Sequence, residues 1–324
     1  MKILITGAAG FIGSRLCLEL TKNPNNKVYG VDSLDSYYSV KLKKKRLIEL
    51  NRKKNFKFFK IDLKNNKNFK KLDKLKNVDI IFHFAAQAGV RFAINKPKKY
   101  FNDNIILFFN VINFAKKNRI KKIFFASSSS IYGDQKKLPI KENSKLNTKN
   151  FYGFSKYINE ITAKTFSKLF NLQIIGFRLF TVFGEWGRPD MLIFKYLKCN
   201  MDNKKFYLNE NGGHYRDFTY IGDVVKILLK INKLKLKDNY YIFNICSNKP
   251  IKIIQVIKKI NSNFKDFKYI PVYSKILKKI EVKTTHGDNY KIKKLLKNFK
   301  FSNFDKSLMK TINRYNKNKI HKIT

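Results

Sequence analysis

The sequence of 324 residues predicts an α/β fold, a doubly wound parallel sheet followed by a smaller C-terminal α/β domain. Short apolar runs alternate with helical segments as far as residue 180, and the first run leads into a glycine-rich turn. Beyond residue 180 this alternation becomes irregular. We therefore place residues 1–180 in one domain, to which later segments return, and residues 181–324 mainly in a second domain.

The individual elements follow from the spacing of apolar residues. The predicted strands cover residues 1–6, 27–31, 56–62, 78–84, 121–126, 173–180, 205–208 and 240–246. The predicted helices cover residues 11–17, 40–52, 97–117, 151–170, 191–201, 223–233 and 253–262, with a loop and helix over 64–76 and a short basic part at the C-terminus. Parallel strands joined through helices end at one edge of the sheet, where such folds bind ligands.

The N-terminal turn carries Gly7, Gly10 and Gly13 between a strand and a helix. Gly7 allows a tight turn, Gly10 lets the backbone approach a diphosphate, and Gly13 lets the helix pack close to the sheet. The start of the helix, at Phe11 and Ile12, offers unpaired N–H groups to phosphate oxygens. The pattern predicts a Rossmann-type dinucleotide site; a loop of small residues without a ligand is the alternative.

Asp32 follows the second strand, nineteen residues after Gly13. A carboxylate in this position can bind both ribose hydroxyls of an adenine nucleotide and would repel a 2′-phosphate. Ser33 beside it has no positive charge to accommodate such a phosphate. The sequence therefore predicts NAD, and not NADP, as the cofactor of residues 1–180. Residues that follow two further strands complete the predicted cofactor site: Asp62, Leu63, Ala85 and Ala86.

The net charge of +48 is typical of proteins that bind nucleic acid. Only nine of the 70 basic residues are Arg, however, and the Lys residues are scattered along the chain beside abundant Asn, Ile and Phe. We interpret the charge as a compositional bias on solvated faces and predict no specific nucleic-acid partner. Four Arg residues lie in motifs where a bidentate contact with an anion would require Arg: Arg91, Arg178, Arg188 and Arg216.

Two other protein classes are disfavoured. No run of eighteen apolar residues occurs, so we predict no membrane-spanning segment. Glycines interrupt the N-terminal apolar run, unlike a signal peptide, and the three Cys residues lack the spacing of metal ligands. We expect a cytoplasmic protein with free thiols and no metal site.

Tyr152 and Lys156 lie four residues apart and share one face of a predicted helix. An ammonium beside a phenol favours the phenolate, so we expect Lys156 to lower the pKa of Tyr152 and make it a base. Four consecutive serines, residues 127–130, follow the fifth strand. The helix and the serines predict a catalytic centre at the sheet edge; an ordinary amphipathic helix and a polar turn are the alternatives.

Glycine loop, serine cluster and Tyr-x-x-x-Lys in this order resemble the extended short-chain dehydrogenase/reductase superfamily. Within it the chain resembles the NAD-dependent epimerase/dehydratase family, most closely its members that act on UDP-glucuronate. The similarity extends over about residues 1–225, with a weaker match at 281–288. The matching stretches are residues 35–46, 83–91, 126–133, 181–191 and 215–223. Two residues depart from the family pattern: Glu185 replaces the usual Pro, and Glu281 the usual Asp.

The resemblance implies roles for particular residues. Ser128 would bridge Tyr152 and the substrate oxygen, with Lys156 as the third catalytic group. Tyr152 and Lys156 would also contact the cofactor. The residues implied to bind substrate are Gln87, Arg91, Ser128, Ser129, Ser130, Thr181, Arg188 and Arg216. Of these, Ser129, Ser130 and Thr181 would lie near a sugar carboxylate. Arg188 and Arg216 would hold the nucleotide and its diphosphate.

The implied activity is epimerisation at carbon 4 of a UDP-sugar, with UDP-glucuronate to UDP-galacturonate first, through a 4-keto intermediate and with tightly bound NAD. Ser129 and Ser130 stand where related dehydratases carry an Asp-Glu pair and related decarboxylases carry a Glu. UDP-glucuronate decarboxylase therefore ranks second and hexose 4-epimerase third. A basic Rossmann protein that binds partners without catalysis is the alternative from another class.

The resemblance also implies a homodimer and a role in polysaccharide biosynthesis. The predicted helices over residues 97–117 and 151–170 carry more apolar residues than one buried face needs. In the superfamily this pair of helices forms a four-helix interface between two subunits. We expect the same assembly here.

Overall fold

The computed structural model describes residues 1–75, 77–263 and 267–324, and its centre is a seven-stranded parallel sheet. The strands in chain order are β1 (Lys2–Thr6), β2 (Lys27–Asp32), β3 (Phe56–Lys60), β4 (Ile80–His83), β5 (Lys122–Ser128), β6 (Gln173–Leu179), β7 (Thr181–Phe183), β8 (Phe206–Asn209), β9 (Tyr215–Tyr220), β10 (Tyr240–Ile245), β11 (Pro250–Lys252) and β12 (Tyr269–Val272). The large sheet has the order β10-β6-β5-β4-β1-β2-β3. The predicted doubly wound fold is confirmed.

Helices cover both faces of this sheet. They are α1 (Phe11–Leu20), α2 (Val40–Asn51), α3 (Phe92–Asn95), α4 (Pro97–Tyr100), α5 (Leu107–Lys117), α6 (Phe151–Phe170), α7 (Leu192–Met201), α8 (Ile221–Asn232), α9 (Ile253–Asn261), α10 (Lys275–Ile280), α11 (Tyr290–Leu295) and α12 (Phe304–Lys317). In β1, Ile3 and Ile5 pack into one apolar cluster and Leu4 into another. Strands buried on both faces explain the continuous apolar runs in the sequence.

Three short strands build a second sheet beside the carboxyl ends of the first. Its order is β11-β9-β7, with β9 parallel to β7 and antiparallel to β11. Strands β8 and β12 form a separate parallel pair. Strand β10 returns to the large sheet from beyond residue 180, where it pairs with β6.

The structure differs from the prediction at several places, and strands β7, β9, β11 and β12 were not predicted. The predicted helix over 97–117 is interrupted by a π-helical turn, Phe101–Ile106, which brings Asn104 into hydrogen bonds with the backbone of Gln87 and the hydroxyl of Ser155. The short basic C-terminal part contains three helices, α10 to α12. Within the predicted loop and helix over 64–76 the structure shows a 3-10 turn at Asn66–Lys71, and Lys76 lies outside the described residues.

Within the described part of the chain, no helix combines the length and the apolar character that crossing a bilayer requires.

Candidate active site

A cavity of about 980 Å³ opens at the carboxyl edge of the large sheet. It is lined by every residue that the sequence assigned to a cofactor or substrate: Gly7, Gly10, Phe11, Ile12, Gly13, Asp32, Asp62, Leu63, Ala85, Ala86, Gln87, Arg91, Ser128, Ser129, Ser130, Tyr152, Lys156, Thr181, Arg188 and Arg216. Residues far apart in the chain therefore converge on one site. Their individual roles stay predictions.

Residues 7–13, which we call the glycine loop, have the geometry that a dinucleotide phosphate needs. Gly7 has a φ of +74°, and a Cβ there would lie 2.6 Å from the amide nitrogen of Ala85. A Cβ at Gly13 would lie 2.1 Å from the carbonyl oxygen of Gly7, so only glycine lets α1 approach this closely. Gly10 caps α1 without a side-chain hydrogen bond. The first N–H groups of α1 are thus free of a side-chain cap, which fits a bound phosphate.

Asp32 lies at the end of β2 with both carboxylate oxygens oriented by the backbone. One oxygen accepts a hydrogen bond from the N–H of Ala9 (3.1 Å) and the other from the N–H of Leu34 (2.8 Å). Burial raises the pKa of Asp32, and the Lys43 ammonium is the strongest influence that lowers it. Lys43, which was not predicted as a site residue, lines the cavity. Its ammonium donates to the carbonyl of Asp35 (2.6 Å) and lies 4.5 Å from the Tyr38 ring centre.

Tyr152 and Lys156 lie in the first turns of α6, which Asn150 caps through a hydrogen bond from the N–H of Gly153 (2.8 Å). Ser128, the last residue of β5, lies beside Tyr152 at the cavity and acts to lower the pKa of the phenol. The Lys156 ammonium donates to the carbonyl of Ala126 (2.9 Å). The structure therefore brings Ser128, Tyr152 and Lys156 together at one cavity, as the sequence predicted.

The expected lowering of the Tyr152 pKa by Lys156 is wrong for this arrangement. Burial is the largest influence and raises the pKa of Tyr152, while the Ser128 hydrogen bond and the Arg188 charge oppose it. Burial also lowers the pKa of Lys156 to about 8. The low-dielectric surroundings disfavour the charged form of both groups. The protein alone thus keeps Tyr152 as a neutral phenol.

The serine turn presents hydroxyl groups to the cavity. Ser129 and Ser130 begin a 3-10 turn after β5, and the N–H of Ser130 donates to the Ser128 hydroxyl (3.1 Å). Thr181 begins β7. Ser127 has a different task, because its hydroxyl donates to Glu160 (2.5 Å) in the interior. The part of the turn that lines the cavity next to Tyr152 therefore carries hydroxyls and no carboxylate at positions 128–130.

Three arginines provide positive charge at the cavity. The Nε of Arg188 donates to Asp190 (3.0 Å), and the Tyr37 hydroxyl donates to the same carboxylate (3.1 Å). Arg216 is held by the carbonyl of Tyr215 (2.8 Å), and burial lowers the pKa of its guanidinium. Arg91 pairs with Glu281 at 2.6 Å. Glu281 keeps a carboxylate at the cavity although it departs from the family pattern.

Arg178 and Glu185, which the sequence also singled out, form contacts inside the fold and do not line the cavity. Arg178 forms a buried bidentate pair with Glu160 at 3.0 and 2.7 Å. Glu185, which replaces the usual Pro, is buried and accepts the Tyr220 hydroxyl at 2.9 and 2.8 Å. Three further cavity residues were not predicted, although all three lie in the matching stretches: Tyr37, Lys43 and Asp190.

Comparison with known proteins agrees with this geometry. The chain is 35% identical over 316 residues to a UDP-glucuronate 4-epimerase of Thermodesulfobacterium geofontis, covering 96% of this chain and 94% of that protein. It is 36% identical over 279 residues to Protein CapI of Staphylococcus aureus, covering 81% and 83%. The crystal structure of UDP-glucuronic acid 4-epimerase from Bacillus cereus in complex with UDP-glucuronic acid and NAD has a TM-score of 0.88 at 27% identity, over 98% of this chain and 99% of that chain.

A doubly wound sheet with a glycine loop, Asp32 and a Ser-Tyr-Lys centre in one cavity defines an extended short-chain dehydrogenase/reductase. Residues 3–246 match the family described as NAD dependent epimerase/dehydratase. The chain belongs to this family, as the sequence motifs predicted. It is an NAD-dependent nucleotide-sugar 4-epimerase with NAD as its cofactor.

Proposed function

We propose that this enzyme converts UDP-glucuronate to UDP-galacturonate by inverting carbon 4. The observation that carries the proposal is the group of hydroxyls beside Tyr152: Ser128, Ser129, Ser130 and Thr181 all line the cavity. Such hydroxyls can bind a sugar carboxylate by donating hydrogen bonds without adding a second negative charge. The Thermodesulfobacterium geofontis relative, named UDP-glucuronate 4-epimerase, supports the same substrate.

Proton and hydride transfer at carbon 4 would involve different groups of the site. The residues that line the cavity would hold NAD, whose nicotinamide would supply a positive charge and a reversible hydride acceptor for carbon 4. Tyr152 would accept the proton of the 4-hydroxyl as a phenolate, the form that the positive charge of the bound nicotinamide favours, and the neighbouring Ser128 hydroxyl would orient that oxygen. The Lys156 ammonium, one helical turn from Tyr152, donates to the Ala126 carbonyl. Because burial raises the pKa of Tyr152, each positive charge added at the site favours the phenolate and so favours proton transfer to Tyr152.

The carboxylate of the sugar decides between epimerisation and decarboxylation. The 4-keto form of glucuronate is a β-keto acid. It loses carbon dioxide readily when the bond from carbon 5 to the carboxylate carbon stands perpendicular to the plane of the ketone. Ser129, Ser130 and Thr181, which line the cavity, would hold the carboxylate away from that orientation, and Arg188 and Arg216 would hold the diphosphate. The 4-keto sugar then turns in the site and receives hydride on its other face.

Substrate preference tests this proposal. We expect kcat/KM for UDP-glucuronate to exceed that for UDP-glucose, because UDP-glucose lacks the carboxylate that the hydroxyls bind. A steady-state assay with the two substrates at equal enzyme concentration measures the ratio. A preference for UDP-glucose would make the protein a hexose 4-epimerase instead.

The variant Ser130→Glu should divert part of the flux from UDP-galacturonate to a UDP-pentose or weaken substrate binding. A carboxylate at 130 would repel the sugar carboxylate by about 4 kcal/mol at 4 Å and an effective dielectric near 20. That exceeds the roughly 1 kcal/mol of one ordinary hydrogen bond. The ratio of UDP-pentose to UDP-galacturonate after partial turnover is the measurement, with Ser130→Gln as the uncharged control of similar size. Unchanged affinity and products in Ser130→Glu would show that these hydroxyls do not hold the carboxylate.

We further infer that two copies of the chain associate through α5 and α6. Both helices expose large apolar side chains: Phe109 is 45% exposed and Ile161 is 46% exposed. Phe109 also packs edge-on against Phe166 of α6, so the exposed groups form one surface. Burying them against a second copy would give a four-helix interface.

The assembly is tested by light scattering at micromolar concentration. We expect a dimer for the wild type and a monomer for Phe109→Lys combined with Ile161→Lys, because four buried cations would face each other across the interface. Ile276→Lys, which changes a 60%-exposed residue of α10, is the control and should stay dimeric. A monomeric wild type would contradict the inference.

A further inference from the structure

Arg46 connects the glycine loop to residues 184–190, which we call the arginine loop because they carry Arg188. Arg46 lies in α2, is 4% exposed and does not line the cavity. Its Nη1 donates to the carbonyl of Ala9 in the glycine loop at 3.0 Å. Its Nη2 donates to the carbonyl of Gly187 in the arginine loop at 3.0 Å. One guanidinium therefore spans both loops.

The remaining N–H groups of Arg46 are also used. Nε and Nη2 both donate to the carbonyl of Trp186, at 3.1 and 2.7 Å, and Nη1 donates to the hydroxyl of Tyr38 at 2.8 Å. All five donors of the guanidinium thus have acceptors, four of these bonds ending on backbone carbonyls. A planar group with five fixed donors is what this arrangement requires, and a Lys ammonium with three donors at one point cannot replace it.

The arginine loop needs such support because its backbone is strained. Trp186 has a φ of +59°, in the left-handed region that side chains other than glycine rarely adopt. Its carbonyl is the one that accepts two hydrogen bonds from Arg46. Arg188 follows two residues later and lines the cavity. The conformation of the loop, and with it the position of Arg188, therefore depends on the contact with α2.

We propose that Arg46 is a positioning residue that fixes Arg188 relative to the glycine loop, and so sets the UDP-sugar at the correct distance from the dinucleotide. The inference rests on the proposed function, since it uses Arg188 as a diphosphate ligand. Two hydride transfers must occur in one turnover, from carbon 4 to NAD and back to the other face. If the sugar is loosely placed, the 4-keto sugar can leave after the first transfer. The enzyme then retains NADH, and the proton from the 4-hydroxyl stays with the protein or solvent.

The binding test needs no turnover. Isothermal titration of NAD-loaded protein with UDP should show a Kd about tenfold higher in Arg46→Lys, as expected for the loss of one charge-assisted hydrogen bond. The control Lys44→Met removes an exposed cation from the same helix and should leave the Kd unchanged. Thermal unfolding of each variant confirms that it is folded, and Arg46→Gln is prepared in parallel in case Arg46→Lys does not fold.

A double-mutant cycle separates positioning from general support of the fold. If Arg46 acts through Arg188, the effect of Arg46→Lys on UDP affinity should disappear in an Arg188→Ala background. Additive losses in the two backgrounds would overturn the proposal, as would an unchanged Kd in both Arg46 variants. If the wild type failed to act on UDP-glucuronate, the proposed function would fall, while this cycle would still decide the role of Arg46.

Turnover provides a spectroscopic signature. In Arg46→Lys we expect kcat to fall by up to about a hundredfold, as for a misplacement of about 1 Å. We also expect the absorbance of reduced nicotinamide to grow with each turnover, while the wild type and Lys44→Met return to the oxidised form. A variant that loses activity in proportion to its folded fraction, without accumulating NADH, would show a merely structural role.

Discussion

Replacing Tyr152 by Phe should lower kcat by about 10²–10⁴-fold, the usual contribution of a positioned acid–base group. In the proposed mechanism the Tyr152 phenol takes the proton of the 4-hydroxyl, while the Lys156 ammonium donates to the carbonyl of Ala126. Phe keeps the ring and its edge-on contact with Tyr100, so the fold and NAD content should be retained. The measurement is initial conversion of UDP-glucuronate, with NAD content measured after acid release.

Tyr157→Phe is the matched control, because it removes a hydroxyl from the same helix outside the cavity. We expect its kcat to stay within about twofold of the wild type, since surface and non-site substitutions usually have small effects. Activity in Tyr152→Phe close to that of Tyr157→Phe would remove Tyr152 from the mechanism.

Replacing Arg178 by Leu should lower the free energy of unfolding by about 3–5 kcal/mol, the cost of leaving a buried charge unpaired. Arg178 is 5% exposed and Glu160 is 4% exposed, and they are joined by two hydrogen bonds. Arg178 also donates to the Tyr132 hydroxyl and the Glu142 carbonyl, at 2.8 and 2.7 Å. The pair links β6 to α6, the helix that carries Tyr152.

Urea unfolding followed by circular dichroism measures this loss. The double variant Arg178→Leu with Glu160→Leu should recover much of the stability, because an apolar pair leaves no uncompensated charge. If Arg178→Leu and the double variant were equally stable, or if both matched the wild type, the buried pair would have no role in holding α6.

Local sequence signals were sufficient for the nucleotide half of the fold. The strand, glycine loop and helix at residues 1–20 are contiguous, so a phosphate-binding turn could be predicted there without tertiary information. The Tyr152 and Lys156 spacing is likewise set by one helix. Family motifs then placed the substrate residues, and all of them line the cavity.

Other features depend on contacts that a linear sequence does not contain. Arg46 sits inside a matching stretch, yet its partners Ala9 and Trp186 are fixed only by the folded chain. The direction of the Tyr152 pKa was mispredicted because the spacing to Lys156 is visible in the sequence, whereas the degree of burial is not. Arg178 looked like an anion ligand because its buried partner Glu160 lies on another element.

Two classes of secondary structure were missed for different reasons. Strands β7 and β11 have three residues each, too few to show a period of two. Helix α12 did carry a signal, since the buried Leu308, Ile312 and Tyr315 recur at helical spacing. The surrounding Lys and Asn residues obscured it, because a basic, polar segment was interpreted as a short C-terminal part.

Deuterium placed at carbon 4 of UDP-glucuronate tests redox-neutral epimerisation most directly. The purified protein is incubated with the labelled substrate without added NAD, and the products are identified by NMR. Hydride transfer to bound NAD and back within one site predicts UDP-galacturonate that keeps its deuterium at carbon 4, with no label in the solvent and no UDP-pentose. Release of the label to solvent, or UDP-pentose as the main product, would contradict the redox-neutral epimerisation of UDP-glucuronate.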